Sequence, residues 1–357
     1  MRQLVLAALA ACSALPAMAA DFNPPLERMI SNYIRPATAE FAEAAAALPA
    51  SVAAVCSDTD AQAADSFKAA YAQTLRGFAR VHFLRFGPLL DDDRLNRLAF
   101  LPDPRGIAQR QIRKIYAEKQ PDALSADGLK SKSVAVQGLT ALQLIAFDKE
   151  GSVVLGQPDA DRDYTCGYAQ AISENVASIA AALAAAWADP DGYSAVLLSA
   201  GPDSEAFRSS KEAMETVFNA LVTGLIIVRD QDLLPALGAS AEKARPHRFP
   251  FSRSGNGVLY LSSELGGIRD ALLGFDLERR TPEDFRWIAG TLRFEFDNAQ
   301  TYLDRLEPPL RQTFDEEGGY DQAAVLAITV KSIRDTVALE LAGALGLAGG
   351  FNSLDGD

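Results

Sequence analysis

The chain has 357 residues, with 34 Lys and Arg against 47 Asp and Glu, a formal charge of −13. Hydrophobic residues make up 48% and charged residues 23%, the balance of a globular protein rather than a disordered one. The acidic excess argues against nucleic acid or an anionic membrane as partner. Three cysteines are too few for a disulfide scaffold, and two histidines too few for a three-histidine zinc site.

Residues 1–20 read as a signal peptide. Met1-Arg2-Gln3 is a short positive start, Leu4 to Leu15 an uncharged apolar run, and Ala17-Met18-Ala19 an A-x-A cleavage pattern after Pro16. The run is too short to span a bilayer, which takes about 20 apolar residues. Export to the bacterial periplasm is the expectation. Leu9-Ala10-Ala11-Cys12 offers an alternative, a lipid anchor through Cys12, and only that form would bring the protein to a membrane. Cleavage after Ala19 removes Arg2 and no acid, so the charge moves from −13 to −14. It also leaves Cys56 and Cys166 as an even pair in an oxidising compartment. A disulfide between them is expected; a reactive or metal-binding pair is the other reading.

In chain order, helical patterns cover about 26–47, 61–86, 107–119 and 128–148. Tyr164, Tyr168, Ile172, Val176, Ile179, Leu183 and Trp187 then form one stripe of a long amphipathic helix, stopped by Asp189-Pro190-Asp191-Gly192. Further patterns cover 206–236 and 258–275. Phe285, Ile288, Leu292, Phe296, Ala299, Leu303 and Leu306 form a second clear stripe, with Thr281-Pro282-Glu283-Asp284 as its expected start. Leu326, Val330, Ile333, Val337, Leu341 and Leu345 form a third, closed by Gly346. Only short pieces such as Ser152-Val153-Val154-Leu155 could be strands. The expected fold is all-α, with a helical bundle over 21–195 and a second over 196–357, divided in the Asp189–Glu205 stretch. Cys56 is expected in a loop and Cys166 at the opening of a helix.

Several segments, taken in order, resemble the imelysin-like family of exported bacterial proteins, also called the imelysin peptidase family. They are Leu98-Ala99-Phe100-Leu101-Pro102-Asp103-Pro104-Arg105-Gly106, then Val136-Gln137-Gly138-Leu139-Thr140-Ala141-Leu142-Gln143, then Cys166-Gly167-Tyr168-Ala169. In the second half they are Val228-Arg229-Asp230 through Leu237-Gly238, Ala244-Arg245-Pro246 and Arg253-Ser254-Gly255. The resemblance implies two helical bundles related by pseudo-symmetry, with a signature helix near their interface. It also implies iron acquisition as the setting.

The chain departs from the family at its G-x-H-x-x-E signature. Gly138 is kept, but Thr140 stands at the histidine position and Gln143 at the glutamate position. Residues three apart share one helical face, where His and Glu could hold a metal or a proton. A hydroxyl and an amide are poor zinc ligands, and neither is a general base near neutral pH. The two histidines lie elsewhere: His82 is expected in a core or interface, beside Phe78, and His247 at the surface. Asp91-Asp92-Asp93 lacks the spaced ligands of a calcium loop and reads as a solvated turn.

A polar candidate site remains, made of Gly138, Thr140, Gln143, Asp103, Arg105, Arg253 and Ser254. The arginines could hold a carboxylate or phosphate in bidentate fashion. Alternatively Asp103 and Arg105 tie their own loop to helix ends, and Gly138 merely permits close packing. No catalytic residue, metal ligand or cofactor is expected, and iron or another metal is not supported by the motif. The leading expectation is a non-catalytic exported protein binding a small ligand or an envelope partner at the cleft between the bundles. The alternatives are a metal-dependent peptidase with ligands from elsewhere and an envelope lipoprotein with a structural or assembly role.

Overall fold

The computed structural model describes residues 21–58, 60–306, 310, 312–315 and 317–348. The expected signal segment, with Cys12, lies outside the described residues. The fold is all-α. Among the described residues the only β feature is a single antiparallel bridge between Phe147 and Val153, where the short Ser152–Leu155 piece falls.

Helix α1 (Asn23–Ser57) opens with Pro24 and Pro25 in its first turn, where no intrahelical N–H is needed. A π-turn at Ile30–Ile34 interrupts it. It continues through Pro49 to Ser57 rather than ending near residue 47. Cys56 therefore sits in the last helical turn, not in a loop. Helix α2 (Ala61–Val81) is capped by the Asp60 side chain, which accepts from Ala63 N at 2.7 Å. Helix α3 spans Ile107–Glu118 and α4 spans Leu139–Ala146. The pattern over 128–148 is thus not one helix, because Gly138 is extended (φ −127°, ψ −167°) and starts α4 afresh.

Helix α5 (Arg162–Ala188) buries the stripe read from the sequence, from Tyr168 to Trp187. Cys166 lies in its first turns and is bonded to Cys56, with Cα atoms 5.8 Å apart. The bridge closes a loop with a sequence separation of 110, which restricts the unfolded chain. Helix α6 (Ser210–Ile226) is capped by Ser209, whose hydroxyl accepts from Glu212 N at 3.2 Å. It runs into a π-turn, Ile227–Leu233. Helix α7 spans Gly257–Leu273 and α8 Trp287–Asp304. Helix α8 begins later than the sequence suggested, because Glu283–Phe285 forms a separate 3-10 turn. Helix α9 (Gly319–Asp335) continues through a π-turn to Leu345 and ends at Gly346 (φ +66°).

Helix α1 packs on α2 and α5, and α2 packs in turn on α7. That second contact joins residues from either side of 195. It is close because Gly267 carries no side chain: a Cβ there would lie 2.7 Å from the Arg80 carbonyl oxygen. Tyr33 donates to that same carbonyl at 2.6 Å, and Arg80 pairs with Asp270 at 3.1 Å. Buried side chains from Phe22 to Leu347 join in one continuous apolar core.

Candidate functional site

A cavity of about 600 Å³ opens between the two halves of the chain. Its walls come from the 100–109 loop, α4, the π-turn after α6 and the 247–253 loop. The placement of α4 is built from behind. Arg97 donates to Gln137 Oε1 at 3.0 Å and to Asn175 Oδ1 at 2.9 Å, while Asn175 donates to the Gln137 carbonyl at 2.8 Å. Tyr71 donates to the Leu139 carbonyl at 3.0 Å. Gly138 lets the chain pass the preceding loop, since a Cβ there would meet Leu98 O at 2.3 Å and Arg97 O at 2.4 Å.

On α4, Thr140 and Gln143 face the cavity together, as their spacing requires. The Thr140 hydroxyl accepts from Phe100 N at 3.1 Å, so it holds the 100–109 loop. Gln143 is buried, and its Oε1 has no partner among the described residues. Asp103 lines the cavity while both its oxygens accept from the start of α3, at 2.8 Å from Ile107 N and 2.9 Å from Ala108 N. Arg253 lines it too, and its Nε donates to the Phe147 carbonyl at 2.7 Å, tying the 247–253 loop to the end of α4. Burial lowers the Arg253 guanidinium, partly offset by Asp148 and Glu150. Gly138 and Ser254 sit behind the wall; Ser254 donates to Phe251 O at 3.0 Å and accepts from Asn256 at 3.1 Å. Arg105 is exposed and does not line the cavity. His247 is exposed and lines it. Asp91-Asp92-Asp93 is exposed, with Arg94 beside Asp91 and Asp92.

The strongest chemistry lies beside this motif. His82 Nδ1 is 2.6 Å from Glu264 Oε1, and both side chains are buried. Arg85 Nη2 is 3.1 Å from His82 Nε2, and a guanidinium only donates, so Nε2 is the acceptor. The proton then resides on Nδ1 and points to Glu264. Burial, and secondarily Arg85, hold the imidazole well below its ordinary value, so it is neutral. The Tyr260 hydroxyl lies 3.1 Å from the same Nδ1.

Asp232, buried in the π-turn, lines the cavity and reaches Glu264 by a side-chain hydrogen bond. Two carboxylates cannot bond without a proton between them. Burial raises Glu264 to about 8, countered by Asp232 and Arg85. Burial and the neighbouring Glu264 raise Asp232 well above the usual carboxylate range. One guanidinium therefore faces two acids that share a proton, and the cluster is close to neutral. The orphaned oxygens Asp232 Oδ2 and Glu264 Oε2 fit that assignment, because a protonated acid supplies the missing donor.

The sequence reading placed His82 in the core beside Phe78; their rings are 5.2 Å apart. It missed Arg85, Asp232 and Glu264. A signal was present: Glu264 interrupts the apolar stripe Tyr260, Leu261, Leu265, Ile268 on α7.

Among the described residues, no group of three or more His, Cys, Asp or Glu side chains is placed to hold a metal ion. The donor set at the signature position does not suit a transition metal either. Thr140 already accepts from a backbone N–H, and Gln143 is a neutral amide.

The family model Peptidase_M75, Imelysin, matches residues 34–336. No curated protein matches the chain. The fold is similar to that of an imelysin-like protein from Psychrobacter arcticum 273-4, with a TM-score of 0.77 at 16% identity, over 92% of this chain and 97% of that one. It is also similar to a candidate iron-regulated protein A precursor from Parabacteroides distasonis ATCC 8503, with a TM-score of 0.70 at 12% identity, over 90% and 96% of the two chains.

Proposed function

The chain belongs to the imelysin family, and on that premise we propose that it is an exported, non-catalytic binding protein. Its cleft between the halves takes a small ligand. The observation that carries this reading is the cavity of about 600 Å³, which has the size and partly apolar lining of a ligand site. Thr140 and Gln143 line it, and neither can activate a water or serve as a general base there. The name of the Parabacteroides neighbour supports a role linked to iron supply, in which this chain would serve as a binding component rather than a metal carrier.

The test has two arms. Protein purified from the periplasm and examined by native mass spectrometry should carry a substoichiometric small molecule that Gln143→Trp excludes. Equilibrium dialysis with iron and zinc should show no stoichiometric binding dependent on Gln143. Chelator-sensitive proteolysis by the purified protein, or tight metal binding lost in Gln143→Ala, would sink the proposal.

A further inference from the structure

Three acids and two arginines line the cavity, and their partners differ. Each acid is already engaged. Asp103 takes N–H groups from Ile107 and Ala108 on its two oxygens, at the positive end of α3. Asp230 is bonded to Arg229, which stands outside the lining. Asp232 is buried and bonded to Glu264. The arginines are not engaged in this way. Arg253 is half-buried, and only its Nε is used, by Phe147 O at 2.7 Å. Asp148 and Glu150 lie near it, yet neither forms an ion pair with it. Its two terminal nitrogens have no acceptor among the described residues, and neither is sealed from the open space. The bond to Phe147 O fixes the plane of the fork while those nitrogens stay open. Arg248 is exposed, follows the lining residue His247, and its guanidinium has no hydrogen bond or ion pair among the described residues. The facing wall is apolar and reachable: Phe100, Leu101 and Leu144 are only partly buried.

We propose that the cavity binds a small organic oxyanion, a carboxylate or phosphate on an apolar body, whose oxygens are received by Arg253 and Arg248. The apolar body lies along Phe100, Leu101 and Leu144. This rests on the reading of the cleft as a ligand site and names the ligand's chemical class. A planar guanidinium already held at Nε gives two parallel N–H bonds to one oxyanion, at little further cost in side-chain freedom. Arg253 is therefore the anchor. Arg248 sits in water, so its contribution is the smaller one. The overall acidity of the chain does not oppose this, because surface charges more than about 10 Å away are screened at ordinary ionic strength.

The experiment is isothermal titration with hexanoate and hexyl phosphate, using hexanol and hexylamine as uncharged and cationic controls of the same chain length. Both anions should bind, about tenfold or more tighter than hexanol, and the tighter of the two identifies the headgroup. Butyrate, two methylenes shorter than hexanoate, should bind about tenfold more weakly, which reads the apolar wall. Arg253→Gln should weaken the anions by about tenfold or more. Arg253→Lys keeps the charge without the fork and should restore part of that loss. Arg248→Gln should weaken them by about two- to fivefold. Hexanol binding should be unchanged in all three variants, which separates loss of a contact from a disturbed cavity. Where Arg253→Gln does not fold, Arg248→Gln and the wild-type comparison of anion with alcohol decide. Controls that bind as tightly as the anions, or anion binding unchanged in the arginine variants, overturn the proposal. Failure of both anions to bind, while a co-purifying molecule still occupies the cleft, overturns the oxyanion class and leaves the cleft reading standing. Failure of both observations removes the two together.

Discussion

The face of α4 and the buried cluster that reaches the same cavity through Asp232 are built on opposite principles. On α4, Thr140 and Gln143 are neutral, three residues apart, and fixed by local helix geometry. The cluster of His82, Arg85, Asp232, Tyr260 and Glu264 is ionisable, and it draws on segments up to 182 residues apart. The first is a motif in the ordinary sense, and its hydroxyl and amide do no acid–base work near neutral pH. The second has no sequence motif, yet it holds the titratable groups of the site. Titratable chemistry in this cavity is therefore sought in the long-range cluster that reaches it through Asp232 rather than on the signature helix.

That contrast can be broken in stability measurements. The largest effect is expected from Arg85→Met. It leaves two buried acids and His82 Nε2 without their cation, and should cost about 3 kcal/mol in denaturant unfolding. A cost within experimental error would mean the cluster is solvated. Gly138→Ala should cost about 1–3 kcal/mol, because the added methyl meets two backbone carbonyls that cannot move aside.

Next comes pH. Glu264 titrates near 8 in the folded protein against 4.5 ordinarily, so its stabilisation is complete at low pH and is lost as pH rises through about 8. His82 acts in the opposite sense only below 6.5, where the unfolded imidazole gains a proton that the buried one refuses. Between pH 6.5 and 8 stability should therefore fall, on the order of 1 kcal/mol per pH unit. Glu264→Gln should flatten that slope. The smallest effects belong to α4. Thr140→Val should cost about 1 kcal/mol through the orphaned Phe100 N–H. Gln143→Leu should be near neutral, because its Oε1 has no partner to lose.

The helices were legible because their apolar stripes are long and regular: the Tyr168–Trp187 face of α5 is buried as its spacing required. The Cys56–Cys166 bridge was legible from parity alone. The boundaries were less so. Gly138 broke one expected helix, and the first ran on past residue 47, through Pro49, to Ser57. π-turns were invisible, though one of them places Asp232 in the cavity wall. The cluster was only half legible. His82 announced itself by its stripe, but the partners that make it a hydrogen-bond donor to Glu264 come from distant turns that periodicity cannot bring together.

The shared proton is the point on which the account turns, and infrared spectroscopy sees it directly. At pH 7 the wild-type protein should show the carbonyl stretch of a protonated carboxylic acid. The band should be shifted by deuterium exchange and lost in Glu264→Gln. A spectrum at pH 7 with ionised carboxylates alone would contradict the paired-acid site.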